Sequence, residues 1–151
     1  MPKGKAFVVV GHSNWGKSRT LRQLTGSKRK AWIRIKDFWI FIRRMSNDDI
    51  AKKDLKEFLE KIDPNVKKII IITLCPNFDD PDRKTKEILN LLKDKYTPYF
   101  FVLKQRYGKK VEVLDKEIDA LKSIGGVEVI KGAVEDTERS RRLKQFIEKY
   151  L

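Results

Sequence analysis

Apolar residues along this chain fall into short unbroken or alternating runs, and these runs are interleaved with segments of helical spacing. Ala6-Phe7-Val8-Val9-Val10 has no polar break, so Lys5 to Val10 is expected as a strand covered on both faces. Lys17 to Leu24 follows as a helix ended by Thr25-Gly26. Ala31 to Ile35 and Phe38 to Arg43 alternate on either side of Lys36-Asp37 and predict a β-hairpin. Trp32, Trp39 and Phe41 are interleaved with Arg34, Lys36 and Arg43, which would suit stacking plus phosphate contact, but alternating aromatics on a hairpin are expected to face the core and leave the basic residues to solvent. Asp48 to Ile62 places Ile50, Leu55, Phe58, Leu59 and Ile62 at helical spacing, with Ser46 or Asn47 as a cap.

The second half repeats the alternation. Lys68 to Leu74 is a continuous Ile-rich run, as in a central strand. Asp80-Pro81-Asp82 opens a helix through about Lys95, because Asp caps and Pro suits the first helical position. Tyr99 to Leu103 reads as a strand, Leu114 to Ser123 as a helix stopped by Gly125-Gly126, and Val127 to Ile130 as a strand. Thr137 to Tyr150 is a last helix with Leu143, Phe146, Ile147 and Tyr150 on one face. Together these elements predict an α/β fold. The expected architecture is three-layer α/β/α with a mostly parallel sheet and one antiparallel edge hairpin, built as a single domain over residues 1–151.

Chemistry enters at the first strand-to-helix turn. Gly11-His12-Ser13-Asn14-Trp15-Gly16-Lys17-Ser18 fits G-x-x-x-x-G-K-[ST], a pattern that turns a strand sharply and aims backbone N–H groups at one anion. Gly11 and Gly16 permit the turn, and the amides of Asn14 to Arg19 form a cradle at the positive end of the helix. Lys17 would reach the β- and γ-phosphates, and Ser18 would offer its hydroxyl to Mg²⁺. His12 and Ser13 are further candidate phosphate contacts, and Trp15 lies either over the nucleotide or outward against a partner. The motif thus marks the expected α/β/α fold as that of a P-loop NTPase, and the expected ligand is a nucleoside triphosphate with Mg²⁺.

Composition adds a second candidate partner. The formal net charge is +14 over 151 residues. Residues 1–62 hold 16 Lys+Arg against 6 Asp+Glu, so the excess is concentrated behind the phosphate loop. Lys28, Arg29, Lys30, Arg34, Lys36, Arg43 and Arg44 are accompanied there only by Asp37, and a nucleic acid or another polyanion would suit such a patch. A heavily charged solvated surface, as in proteins of hyperthermophiles, fits the 37% charged content as well. No run approaches the roughly 18 apolar residues of a membrane span, and the N-terminus shows no signal-peptide pattern, so a cytoplasmic location without membrane contact is expected. The single cysteine, Cys75, is expected as a buried, inert thiol.

The order of strand, phosphate loop, helix, hairpin and further alternation resembles that of the Ras-like GTPase domain. Phe7 to Gly26, FVVVGHSNWGKSRTLRQLTG, is similar to the first-motif region of translation-factor-related GTPases of the Era and EngB type. That resemblance implies a D-x-x-G motif after the second hairpin strand, where the chain reads Arg43-Arg44-Met45-Ser46-Asn47-Asp48-Asp49, with no Asp-x-x-Gly. Asp48 or Asp49 could hold Mg²⁺ through water or cap the next helix. It also implies N-K-x-D after Tyr99 to Leu103, where Lys104-Gln105-Arg106 keeps only the Lys. Lys104 and Arg106 are thus the residues placed to meet a base. Arg106 only donates, so it cannot accept the guanine N1–H and N2–H bonds. The carboxylate expected to end a central strand is replaced by Thr73, with Asp79, Asp80 and Asp82 beyond it. Asp80 reads as a cap, and Asp79 is a catalytic candidate beside Lys17.

Three functions fit these residues. One is a divergent Ras-like nucleoside triphosphatase whose nucleotide state controls the hairpin region. Another is a small P-loop kinase transferring the γ-phosphoryl group to a nucleoside, nucleotide or polynucleotide, using Asp79, Asp82, Arg83 and the loop from Lys104 to Lys110. The hairpin after the first helix counts against the kinase. The third is a nucleotide- or nucleic-acid-binding module without catalysis.

Overall fold

The computed structural model describes residues 4–11, 17–26, 30–43, 55–76, 85–104, 113, 115–130 and 135–151. Strand β1 (Gly4–Val10) leads through the Gly11 turn to helix α1 (Lys17–Thr25). The hairpin β2 (Trp32–Ile35) and β3 (Phe38–Ile42) follows, then α2 (Leu55–Lys61), β4 (Ile69–Leu74) and α3 (Thr85–Lys95). The chain continues with β5 (Tyr96–Leu103), α4 (Asp115–Lys122), β6 (Gly126–Ile130) and α5 (Asp136–Tyr150). The expected helix starts at Asp48 and Asp80, and their caps, lie outside the described residues.

The six strands form one sheet in the order β2-β3-β4-β1-β5-β6. Only the β2/β3 pair is antiparallel; β3, β4, β1, β5 and β6 run parallel to one another. Alternation along the strands divides the interior. Ala6, Val8, Val10, Ile70, Ile72, Leu74, Phe100 and Val102 point to α2, α3 and α4, whereas Phe7, Val9, Ile69, Ile71, Phe101 and Leu103 point to α1 and α5. Helices therefore cover both faces, and the uninterrupted apolar runs belong to the strands buried on both sides.

Among the described residues, the start of β5 departs most from the sequence reading. β5 begins at Tyr96, directly after α3, because it pairs with β1 from the first residue, Gly4 opposite Tyr96. The Tyr96 ring is fully buried and its hydroxyl donates to the Lys67 carbonyl at 2.7 Å; burial, with a smaller contribution from Asp63, pushes its pKa well above the ordinary phenol value. The preceding residue, Lys95, donates to the carbonyls of Leu59, Glu60 and Ile62 at 2.8 to 2.9 Å and so caps the C-terminal end of α2.

The hairpin reverses the expectation for its aromatic residues. Ile33, Ile35, Ile40 and Ile42 face α1 and α5, while Trp32 and Trp39 remain 41% and 61% exposed. Cross-strand pairing sets Trp32 opposite Phe41 and Arg34 opposite Trp39, so the aromatic and basic side chains share one face. With a side-chain period of two, the four isoleucines claim the covered face, and Trp32, Arg34, Trp39 and Phe41 turn away from it.

Candidate functional site

Parallel strands end together, and the carboxyl ends of β1, β4 and β5 bring Gly11, Cys75 and Lys104 to one edge of the sheet. The chain leaves β1 toward β2 and β3, returns through β4, and then crosses to β5 on the other side of β1. Ligands in open α/β sheets bind outside the strand ends at such a reversal. Gly11 is buried there, and its N–H donates to the Leu74 carbonyl at 3.0 Å, extending the β1/β4 ladder by one bond.

Lys17 opens α1 and is only 8% exposed. Its ammonium donates to the Gly11 carbonyl at 2.6 Å, folding the side chain back toward the strand end. The first turn of α1 carries no acidic residue, so the positive end of the helix dipole and a buried cation coincide. An anion placed there would be attracted by both. Ser18 and Arg19 are exposed on the same turn, and Thr20 is fully buried beneath it. No protein-family model and no curated protein matches the chain.

The sequence reading passed over Arg139. From α5 its Nε donates to the Thr20 hydroxyl at 3.2 Å, bringing a second cation against the first turn of α1. Beside it, Arg141 and Arg142 hold Glu138 through hydrogen bonds that lower its pKa to about 2, so this carboxylate stays charged and engaged within α5. On the other flank Thr73, 1% exposed, lies opposite Val9 and by alternation shares the α1 face with Ile71. The Thr85 hydroxyl donates to the Cys75 carbonyl at 3.2 Å and ties the start of α3 to the end of β4. Cys75 is buried, as expected.

The remaining candidates are dispersed. Lys104 follows β5 with its ammonium 2.9 Å from Asp115 Oδ1 at the start of α4. Arg43 follows β3 and lies with its guanidinium carbon 4.9 Å from the centre of the Phe58 ring. The end of β3 is separated from β1 by β4, so a γ-phosphate sensor there would have to reach past an intervening strand. Arg34 pairs loosely with Asp37 at 3.4 Å, Lys36 donates to the Glu148 carbonyl at 3.2 Å, and Lys30 is exposed. His12, Ser13, Asn14, Trp15, Gly16, Lys28, Arg29, Arg44, Asp48, Asp79 and Arg106 lie outside the described residues. Among the described residues no group of three or more His, Cys, Asp or Glu side chains could hold a metal ion, and no helix is long and apolar enough to cross a membrane.

Proposed function

We propose that this chain binds a Mg²⁺–nucleoside triphosphate at the turn between β1 and α1. The observation that carries the reading is Lys17, a buried ammonium drawn onto the Gly11 carbonyl where the first turn of a helix meets the end of a central parallel strand. In this reading Lys17 exchanges the carbonyl for phosphate oxygens, and the loop amides and Arg139 add positive charge around them. Among the described residues, Ser18 is the hydroxyl suited to Mg²⁺. The ion would arrive largely held by the phosphates and water, as Mg²⁺ commonly does.

Slow hydrolysis in the manner of a divergent triphosphatase is the leading activity, because positioning and neutralising the spreading γ-phosphoryl charge is most of what such a site contributes. Phosphoryl transfer to an acceptor hydroxyl is the alternative activity. The hairpin follows α1 in the chain, which counts against a kinase, but it lies at the far edge of the sheet and the strands beside β1 are β4 and β5.

Calorimetry with ATP, GTP, ADP and GDP in Mg²⁺, with phosphate release followed in the same samples, tests both. The expected result is triphosphate binding that Lys17→Ala abolishes and Ser18→Ala retains with a weakened Mg²⁺ dependence. Phosphate release without an acceptor supports the triphosphatase, and consumption only on adding a hydroxyl acceptor supports the kinase. Equal binding by wild type and Lys17→Ala, or none by wild type, overturns the nucleotide reading.

A further inference from the structure

The outward face of the hairpin carries exposed aromatic rings where a solvated edge would carry polar groups. Trp39 is the most exposed of the hairpin's large apolar side chains at 61%, and Arg34 lies opposite it across the strands. Trp32 stands edge-on to Phe41 at 5.3 Å between centroids, and Phe41 stacks on Phe58 of α2 at 6.0 Å. Cations border these rings: the Lys67 ammonium lies 4.8 Å from the Phe41 centroid and the Arg43 guanidinium lies over Phe58. The edge of β2 borders a groove of about 330 Å³ that also reaches Leu24 and Thr25 of α1 and Ile33 and Ile35 of β2; Lys30, Trp32, Arg34, Trp39 and Lys144 complete its lining, with no Asp or Glu among them.

We infer that this face, Trp32 and Trp39 with the groove along β2, is a platform for single-stranded nucleic acid, whose bases stack on the two indoles while Lys30, Arg34 and Lys144 follow the phosphates. Unpaired bases expose apolar faces that seek flat aromatic partners, and the strand supplies a negative charge at each step; the patch answers both. Duplex hides its base faces and can use only the cations. A second copy of the chain would also find an open strand edge here. It would bring two like-charged grooves together on molecules of net charge +14, whereas a polyanion neutralises them. The inference does not depend on nucleotide binding at Lys17.

The test is fluorescence anisotropy of a labelled oligothymidylate of about 12 nucleotides, single-stranded or annealed to its complement, without nucleoside triphosphate. The expected result is single-strand binding that weakens steeply with salt, falls about tenfold in Trp39→Ala and is largely restored in Trp39→Phe. Trp39 is mostly exposed, so both variants are expected to fold, and far-ultraviolet circular dichroism checks that they do. Lys17→Ala is expected to keep the wild-type affinity, which separates failure of this surface from failure of the nucleotide site. Equal affinity for duplex, no loss in Trp39→Ala, no binding at all, or loss in Lys17→Ala would each overturn the assignment. So would self-association that Trp39→Ala removes, since a second copy would then occupy the face.

Discussion

At Gly125 the turn before β6 passes so close to the Pro98 carbonyl that a Cβ would overlap backbone atoms of β5. The contact is backbone against backbone, so no side-chain rotation relieves it. Pro98 fits the same spot for a complementary reason: its carbonyl points toward Gly125, on the side where β6 has not yet begun to pair, so the missing N–H leaves no ladder bond unmade. Gly125→Ala is therefore expected to cost about 1–3 kcal/mol by overpacking, read as a lower urea midpoint with an unchanged slope. An unchanged midpoint would show that the turn shifts freely. Residues differ in how far the sequence betrays such roles. Gly11, Lys17 and Ser18 stood out as candidates because the G-x-x-x-x-G-K-[ST] pattern is contiguous in the chain. Arg139 did not, because Thr20 lies 119 positions away and only the packing of α5 against α1 brings them together.

Among the elements, the hairpin is the most instructive. Its turn is two residues long, and Lys36 adopts a φ of 55°, a left-handed conformation that a side chain with a Cβ resists. Lys36→Gly is expected to raise stability by about 0.5–1 kcal/mol in chemical denaturation, the relief exceeding the added freedom of the unfolded chain and the lost bond to Glu148. A decrease would mean that the tie between the turn and α5 outweighs the strain. The hairpin's existence and ends were readable from its alternation. Its facing was readable too, since Trp32 and Arg34 share a parity and Ile33 and Ile35 the other, but a general preference for buried aromatics points the wrong way here. The early start of β5 was hidden because Tyr96, Thr97 and Pro98 read as a loop until β1 is laid beside them.

For the whole molecule, charge and topology set the behaviour. With a net charge of +14 and the exposed ion pairs screened by water, self-repulsion is expected to oppose the compact state. Raising NaCl from about 0.02 to about 0.3 M, which shortens the screening length several-fold, should raise the melting temperature by a few degrees. A fall would show that local pairs such as Lys61 with Glu57 and Arg141 with Glu138 outweigh the repulsion. The same change should weaken an oligonucleotide complex, so free-protein stability and strand binding move in opposite directions with salt. The alternation of runs and helical segments determined that the chain makes a mostly parallel sheet with helices on both faces, because burial on two sides demands unbroken apolar strands. It also determined which turn carries the phosphate-loop pattern, because that pattern is local. Only the tertiary structure decided that β4 rather than β3 lies beside β1, that Arg139 meets the first turn of α1, and that two tryptophans stand in solvent beside a basic groove. Strand order and helix docking depend on contacts between residues far apart in the chain, and periodicity carries no information about which distant partner a face will meet.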